Sequence, residues 1–131
     1  MKFYQKTIFL FLLFLLNSCD PTASSFIINK RKDKITLKVK MDQVAIEKLN
    51  KEYIEKGFLV GDEVLEDYEV KIDSSETYLF DVKMRAKPDY YDIKEIEIYS
   101  GDTLILKCRK EQLQKLFVVE KNIVGYTLII N

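Results

Sequence analysis

Two cysteines, a dense acidic stretch, a basic run and a tyrosine pair are the side chains here that could carry chemistry. The 131 residues include no histidine. That removes Ser-His-Asp and Cys-His catalysis, His-ligated zinc and the most frequent general base. Cys108 closes an apolar run in step with Leu104 and Leu106, and no imidazole is present to deprotonate it, so a buried structural thiol is expected. Asp62, Glu63, Glu66, Asp67 and Glu69 put five carboxylates into eight residues. Oxygen donors of this kind suit Ca²⁺, and paired carboxylates cleave glycosides. The spacing does not form an Asp-x-Asp-x-Asp-Gly loop, a strand would turn alternate carboxylates apart, and there is no tryptophan to stack on a sugar. The expectation is a solvated acidic edge without metal or cofactor, with Asp62, Glu63, Glu66 and Asp67 as candidate contact residues. Lys30, Arg31, Lys32 and Lys34 form the densest basic run. Near an anionic leaflet each such charge adds about 1 kcal/mol, which makes them candidates for a membrane-facing patch. Tyr90 and Tyr91, in the turn Pro88-Asp-Tyr-Tyr-Asp92, are candidates for partner contact, because an exposed tyrosine buries much area at low entropic cost.

Cys19 has a different context. Lys2 and Lys6 precede an unbroken apolar run at 8–16, which ends in Leu16-Asn17-Ser18-Cys19. The run is shorter than the ~20 residues of a spanning helix and matches the core of a signal peptide, about 7–15 residues. The motif resembles the lipobox of bacterial lipoproteins: Leu, a small or polar residue, a small residue, then Cys. The resemblance implies cleavage before Cys19, a diacylglyceryl thioether on its sulfur and a further fatty chain, such as palmitate, on the new amino group. Two or more chains hold a protein stably on a bilayer, whereas one is marginal. Asp20 resembles the inner-membrane retention signal of enterobacterial lipoproteins, a rule other bacterial groups do not follow, so the choice of membrane stays open.

Cleavage would remove 18 of 131 residues and leave 113, the size of one domain, able to bury roughly 65% of its unfolded surface. Lys2 and Lys6 leave with the leader, so 19 of the 21 cationic side chains remain against 21 acidic ones, a balance of −2. A near-neutral surface with three arginines gives no electrostatic footprint for nucleic acid. With Cys19 committed to lipid, Cys108 has no partner for an internal disulfide, and the fold must rest on its core.

The elements that position these residues follow from hydrophobic periodicity. A polar tether is expected at 19–25 and a single globular domain at 26–131. Ile35, Leu37, Val39 and Met41 alternate with polar residues, the period of a strand with one buried face, and with 26–28 they suggest a hairpin around Lys30–Lys34. Residues 42–56 switch to helical spacing, with Ala45, Ile46, Leu49 and Tyr53 on one face, Asp42 as N-cap and Gly57 as stop. Strands are expected at 68–72 and at Tyr78, Phe80, Val82 and Met84. A hairpin follows around Ser100-Gly101-Asp102, then a short helix or loop at 109–116, then a closing hairpin around 122–125. The prediction is a mainly β (α+β) domain: a single small antiparallel β-sandwich or barrel-like sheet with one amphipathic helix. The mature pattern is similar to that of small uncharacterised β-rich lipoproteins of Bacteroidota, on the strength of Phe26-Ile-Ile-Asn29, Ile96-Glu-Ile98 with Asp102-Thr103, and Tyr126-Thr-Leu-Ile-Ile130.

The functional expectation is a non-enzymatic, membrane-anchored envelope lipoprotein that binds a protein partner or supports an assembly. The alternatives are an immunity-type lipoprotein that neutralises an envelope-targeted toxin, using Gly61 to Glu69 as contact surface, and a carrier of a small ligand or metal.

Overall fold

The computed structural model describes residues 21–131; the expected signal peptide at 1–18, Cys19 and Asp20 lie outside the described residues. The order is β1 (Ala23–Asn29), β2 (Ile35–Met41), α1 (Gln43–Glu55), β3 (Tyr68–Ile72), β4 (Thr77–Lys83), β5 (Ile93–Ser100), β6 (Thr103–Arg109), α2 (Lys110–Leu116), β7 (Val118–Val119) and β8 (Tyr126–Ile130). Two four-stranded sheets, β4-β1-β8-β7 and β3-β2-β5-β6, pack over one core that includes Ile27, Leu37, Ile96, Ile98, Leu128 and Ile130. This is the expected small sandwich, and no barrel closes. The sheets are not wholly antiparallel: β1 and β8 pair in parallel from Ser25–Tyr126 to Asn29–Ile130. The predicted second stretch at 109–116 is helical, with Gln112 Oε1 accepting the Arg109 N–H.

Three sequence-based expectations are corrected. The tether is shorter than expected, because β1 begins at Ala23. Ala23 and Ser25 are small enough to face inward, and both are buried. The segments on either side of Lys30–Lys34 do not form a hairpin, because β1 and β2 belong to opposite sheets. Buried Asn29 makes the crossing: its Nδ2 donates to the carbonyls of Asp33, Ile72 and Asp73 at 2.9–3.1 Å, and its Oδ1 accepts the Arg31 N–H at 3.0 Å. In β4 the expected inward set changes phase. A bulge opposite Ser25 and Phe26 turns Asp81 and Lys83 towards the interior and leaves Val82 and Met84 exposed, since a one-residue slip exchanges the faces of a strand.

The register sorts every connection to one of two ends. At the crown lie the turns 30–34, 73–76 and 101–102 and the terminal Asn131. At the root lie the start of β1, both helices, the loops 56–67 and 84–92 and the hairpin turn 120–125. α1 starts with Asp42 as N-cap, its carboxylate accepting the Ala45 N–H at 3.0 Å. It ends against Gly57, whose φ of +85° lets the chain leave sharply. Ile46 is its one fully buried residue; Ala45 and Leu49 are half-buried and Tyr53 is exposed, so the apolar face is narrower than expected.

Candidate functional site

Three regions concentrate unusual chemistry, and the first is an ionic cluster at the root. Asp81 and Lys83 turn inward on β4, and Asp92 precedes β5 in the opposite sheet. Lys83 Nζ lies 3.1 Å from Asp81 Oδ1 and 3.0 Å from Asp92 Oδ1, also bonds Asp92 Oδ2 at 3.0 Å, and sits 4.8 Å from the centre of the Tyr91 ring. All three charged side chains are almost covered. Burial raises the Asp81 carboxyl above its ordinary range in spite of Lys83, and its Oδ2 has no hydrogen-bond partner among the described residues. Burial lowers the Lys83 pKa, but its bonds to Asp92, then the charges of Asp92 and Asp81, more than offset this, so the amine holds its proton above the ordinary lysine range. A lysine held protonated in this way is a strut rather than a base: it ties the loop 84–92 and one sheet to the other.

The same loop disposes of the tyrosine pair. Tyr90 is not exposed, as a contact residue would be; it is fully buried, with φ of +48°, and its hydroxyl lies 2.7 Å from Ser25 Oγ. The positive φ brings its ring against the stacked pair Phe80 and Phe117, with centroids 6.1 and 5.2 Å away. Tyr91 is half-buried beneath Lys83. The tight turn forces one of two adjacent tyrosines into the core, which the sequence motif did not reveal.

The acidic residues do not converge. Asp62, Glu63 and Glu66 are exposed in the loop 56–67, and Asp67 accepts the Met41 N–H at 2.8 Å. Among the described residues no group of three or more His, Cys, Asp or Glu is placed to hold a metal. A cleft of about 490 Å³ is lined by Asp42, Lys94, Glu95, Arg109, Lys110 and Glu111. Lys110 spans it, bonding both Asp42 Oδ2 and the Tyr91 carbonyl. Its bond to Lys110, ahead of the Ala45 cap, keeps the Asp42 carboxyl below its ordinary value. Cys108 is buried as expected, and desolvation pushes its thiol up to about 11, far from the thiolate a nucleophile needs. The basic run is at the crown: Lys30, Lys32 and Lys34 are exposed, Arg31 bonds Asp33 and the Asn131 carbonyl, and Lys34 pairs with Asp73. β1 separates this run from Ala23 at the root by six residue steps, roughly 20 Å.

The two outer sheet faces differ sharply. On β3-β2-β5-β6 the face is a ladder of charge: Lys40 reaches Glu95 at 3.1 Å, Lys107 reaches Glu95 and Glu97 at 3.4 and 3.1 Å, and the Tyr99 hydroxyl donates to Glu97 at 2.8 Å. These bonds, from Lys40 to Glu95 and from Tyr99 to Glu97 foremost, hold both glutamates below their ordinary pKa. On β4-β1-β8-β7 the outward residues are mostly apolar, Phe26, Ile28, Leu79, Val82, Val118 and Ile129, with the small polar Ser24, Thr77 and Thr127 among them. Leu79 and Val82 are each 50% exposed. No helix covers them, and an antiparallel sheet with one solvated face ordinarily shows polar residues there.

No described helix is long and apolar enough to cross a membrane. No protein-family model matches the chain, and no curated protein or solved structure is significantly similar to it.

Proposed function

We propose that this chain is a lipid-anchored protein of the bacterial cell envelope that works without catalysis, by holding a protein partner at the membrane surface. The anchor reading is supported by Leu16-Asn17-Ser18-Cys19 behind a short apolar run. The observation that carries the partner is the largely apolar outer face of β4-β1-β8-β7, where Leu79 and Val82 are half exposed. A contiguous apolar face rimmed by polar residues is the usual mark of a protein–protein surface, and the charged ladder on the opposite face lacks that character. The ionic strut beneath Tyr91 and the raised Cys108 thiol fit a scaffold role.

The test is site-specific. A photo-crosslinking side chain at Val82 is expected to give a discrete adduct in intact cells, and the same group at Lys38, on the charged face, is not. Leu79→Lys is expected to abolish the Val82 adduct. Equal labelling from both faces, or none from Val82, overturns the partner reading. Labelled palmitate is expected in the wild-type chain and absent from Cys19→Ala; equal incorporation overturns the anchor.

A further inference from the structure

At the root, three separate connections end in apolar side chains that the fold leaves in solvent. The loop 56–67 opens with Gly57-Phe58-Leu59-Val60-Gly61, five residues without charge. Phe58 rests edge-on against Tyr53, yet remains 62% exposed, and Leu59 is fully exposed. Met84 follows directly on Lys83, which pairs with Ala23 at the start of β1, and is 74% exposed. Val124, in the turn between β7 and β8, is 91% exposed. The loop 56–67 is held at this end by Gln43 Nε2 on the Leu65 carbonyl and by Asp67 on the Met41 N–H. α1, which leads into it, shares a groove with Arg85, Asp89 and Tyr91 of the loop 84–92. The crown turns are made of Lys30-Arg-Lys-Asp-Lys34, Asp73-Ser-Ser-Glu76 and Gly101-Asp102 and contain no apolar side chain.

The chain also reaches the root. Cys19 is four residues from Ala23, a reach of about 14 Å when fully extended. An acylated Cys19 therefore holds the root of the sandwich against the head groups and the crown away from them. We infer that the root is seated in the lipid interface, with Phe58, Leu59, Met84 and Val124 as the residues that enter it. Apolar and aromatic side chains at the end of a lipid tether add burial to acyl chains already in the bilayer. The charged limb Asp62 to Asp67 returns towards Met41, after the uncharged tip has been passed. This inference rests on the lipid-anchor reading and adds an orientation to it: root down, crown out, and the apolar sheet face standing roughly upright for a partner.

The protein contains no tryptophan, so a single introduced one reports its own depth. The full chain, acylated in a bacterial host, is reconstituted as Leu59→Trp, Val124→Trp or Lys32→Trp. The vesicles are of phosphatidylethanolamine and phosphatidylglycerol with brominated acyl chains. All three variants replace exposed residues, and circular dichroism checks their folds. Expected are a blue-shifted emission and at least two-fold stronger quenching at positions 59 and 124 than at position 32. Flotation of the vesicles separates the two ideas. Protein that floats while positions 59 and 124 stay unquenched, or while position 32 is quenched as strongly, overturns the seating and leaves the anchor standing. Protein that does not float overturns the anchor and the seating with it.

Discussion

The crown and the root of this sandwich solve the same problem, that of joining strands, in opposite ways. The crown uses three short polar turns, two of them fixed by Asn29, whose buried amide satisfies carbonyls in both the β1–β2 and β3–β4 connections. The root uses two helices and three longer connections, fixed by charge: Lys83 between Asp81 and Asp92, and Lys110 between Asp42 and the Tyr91 carbonyl. A neutral hydrogen-bond hub keeps its strength across pH and salt. An ion cluster is strong only while every partner is charged and covered. The crown is thus held by a neutral hub and the root by covered charge, and it is the root that leaves apolar side chains exposed.

The largest effect is expected from breaking the root cluster. Lys83→Met keeps most of the volume and leaves Asp81 and Asp92 almost covered without a cation, at a cost of about 3 kcal/mol near pH 7. Asp81, whose carboxyl burial already raises, then loses the cation that opposes this and titrates further above its unfolded value. The folded variant binds more protons than the unfolded chain, and its stability rises as pH falls towards 5. Urea denaturation at pH 7 and pH 5 is expected to show the gap to wild type narrowing at the lower pH. A constant gap would show that Lys83 acts by packing alone.

At the crown, Asn29→Leu removes the hub and leaves buried carbonyls unpaired, for a loss of about 2 kcal/mol. Here the gap between variant and wild type is expected to be the same at pH 5 and pH 8, because no titrating group is involved. A pH-dependent gap would erase the distinction between the ends.

A third effect appears only in alkali. Burial pushes the Cys108 thiol from its ordinary value up to about 11, so the folded state keeps a proton that the unfolded chain has already released. Its contribution is complete below pH 9 and is lost as pH rises from 9 to 11, with a slope of up to about 1.4 kcal/mol per pH unit. Cys108→Val is expected to flatten this part of the curve relative to wild type. Lys83 and Tyr90, whose pKa values are also raised, shape what remains.

Asp42→Ala is expected to cost about 1 kcal/mol through the lost N-cap of α1. It also frees Lys110, which faces Asp42 Oδ2 at 2.5 Å. Hydrogen exchange is expected to rise first in α1 and the loop 56–67 and to leave the crown amides protected; uniform acceleration would mean that the two ends unfold as one.

Much of the frame was legible where the information is local. The period of β2, the Asp42 and Gly57 boundaries of α1, the Ser100-Gly101-Asp102 hairpin and the covered Cys108 each depend on neighbours within about ten residues. What was missed depends on distant partners. Ala23 to Ser25 reads as linker until Tyr90, 65 residues on, accepts Ser25 as its neighbour. Asn29 is only the end of a strand motif until Ile72 and Asp73 come to it. The bulge that turns Asp81 and Lys83 inward arises from pairing with β1 and leaves no mark in the alternation of β4 itself. The candidate site suffered most, since the acidic cluster, the basic run and Tyr90 were chosen by composition, whereas the root surface is made by three connections that only the topology brings to one end.

The smallest expected effect sharpens the comparison most. Leu59→Ser should change the stability of the chain in detergent by less than about 0.5 kcal/mol, the range of a surface position without partners, because Leu59 is fully exposed. Loss of 1 kcal/mol or more in the same denaturation series would mean that the loop folds against the domain and that its apolar tip is ordinary core. With no change, folding gives no reason for leucine at that position. A side chain that water disfavours and the fold does not use then needs another apolar medium, and the nearest one to the root is the layer that would hold the acylated Cys19.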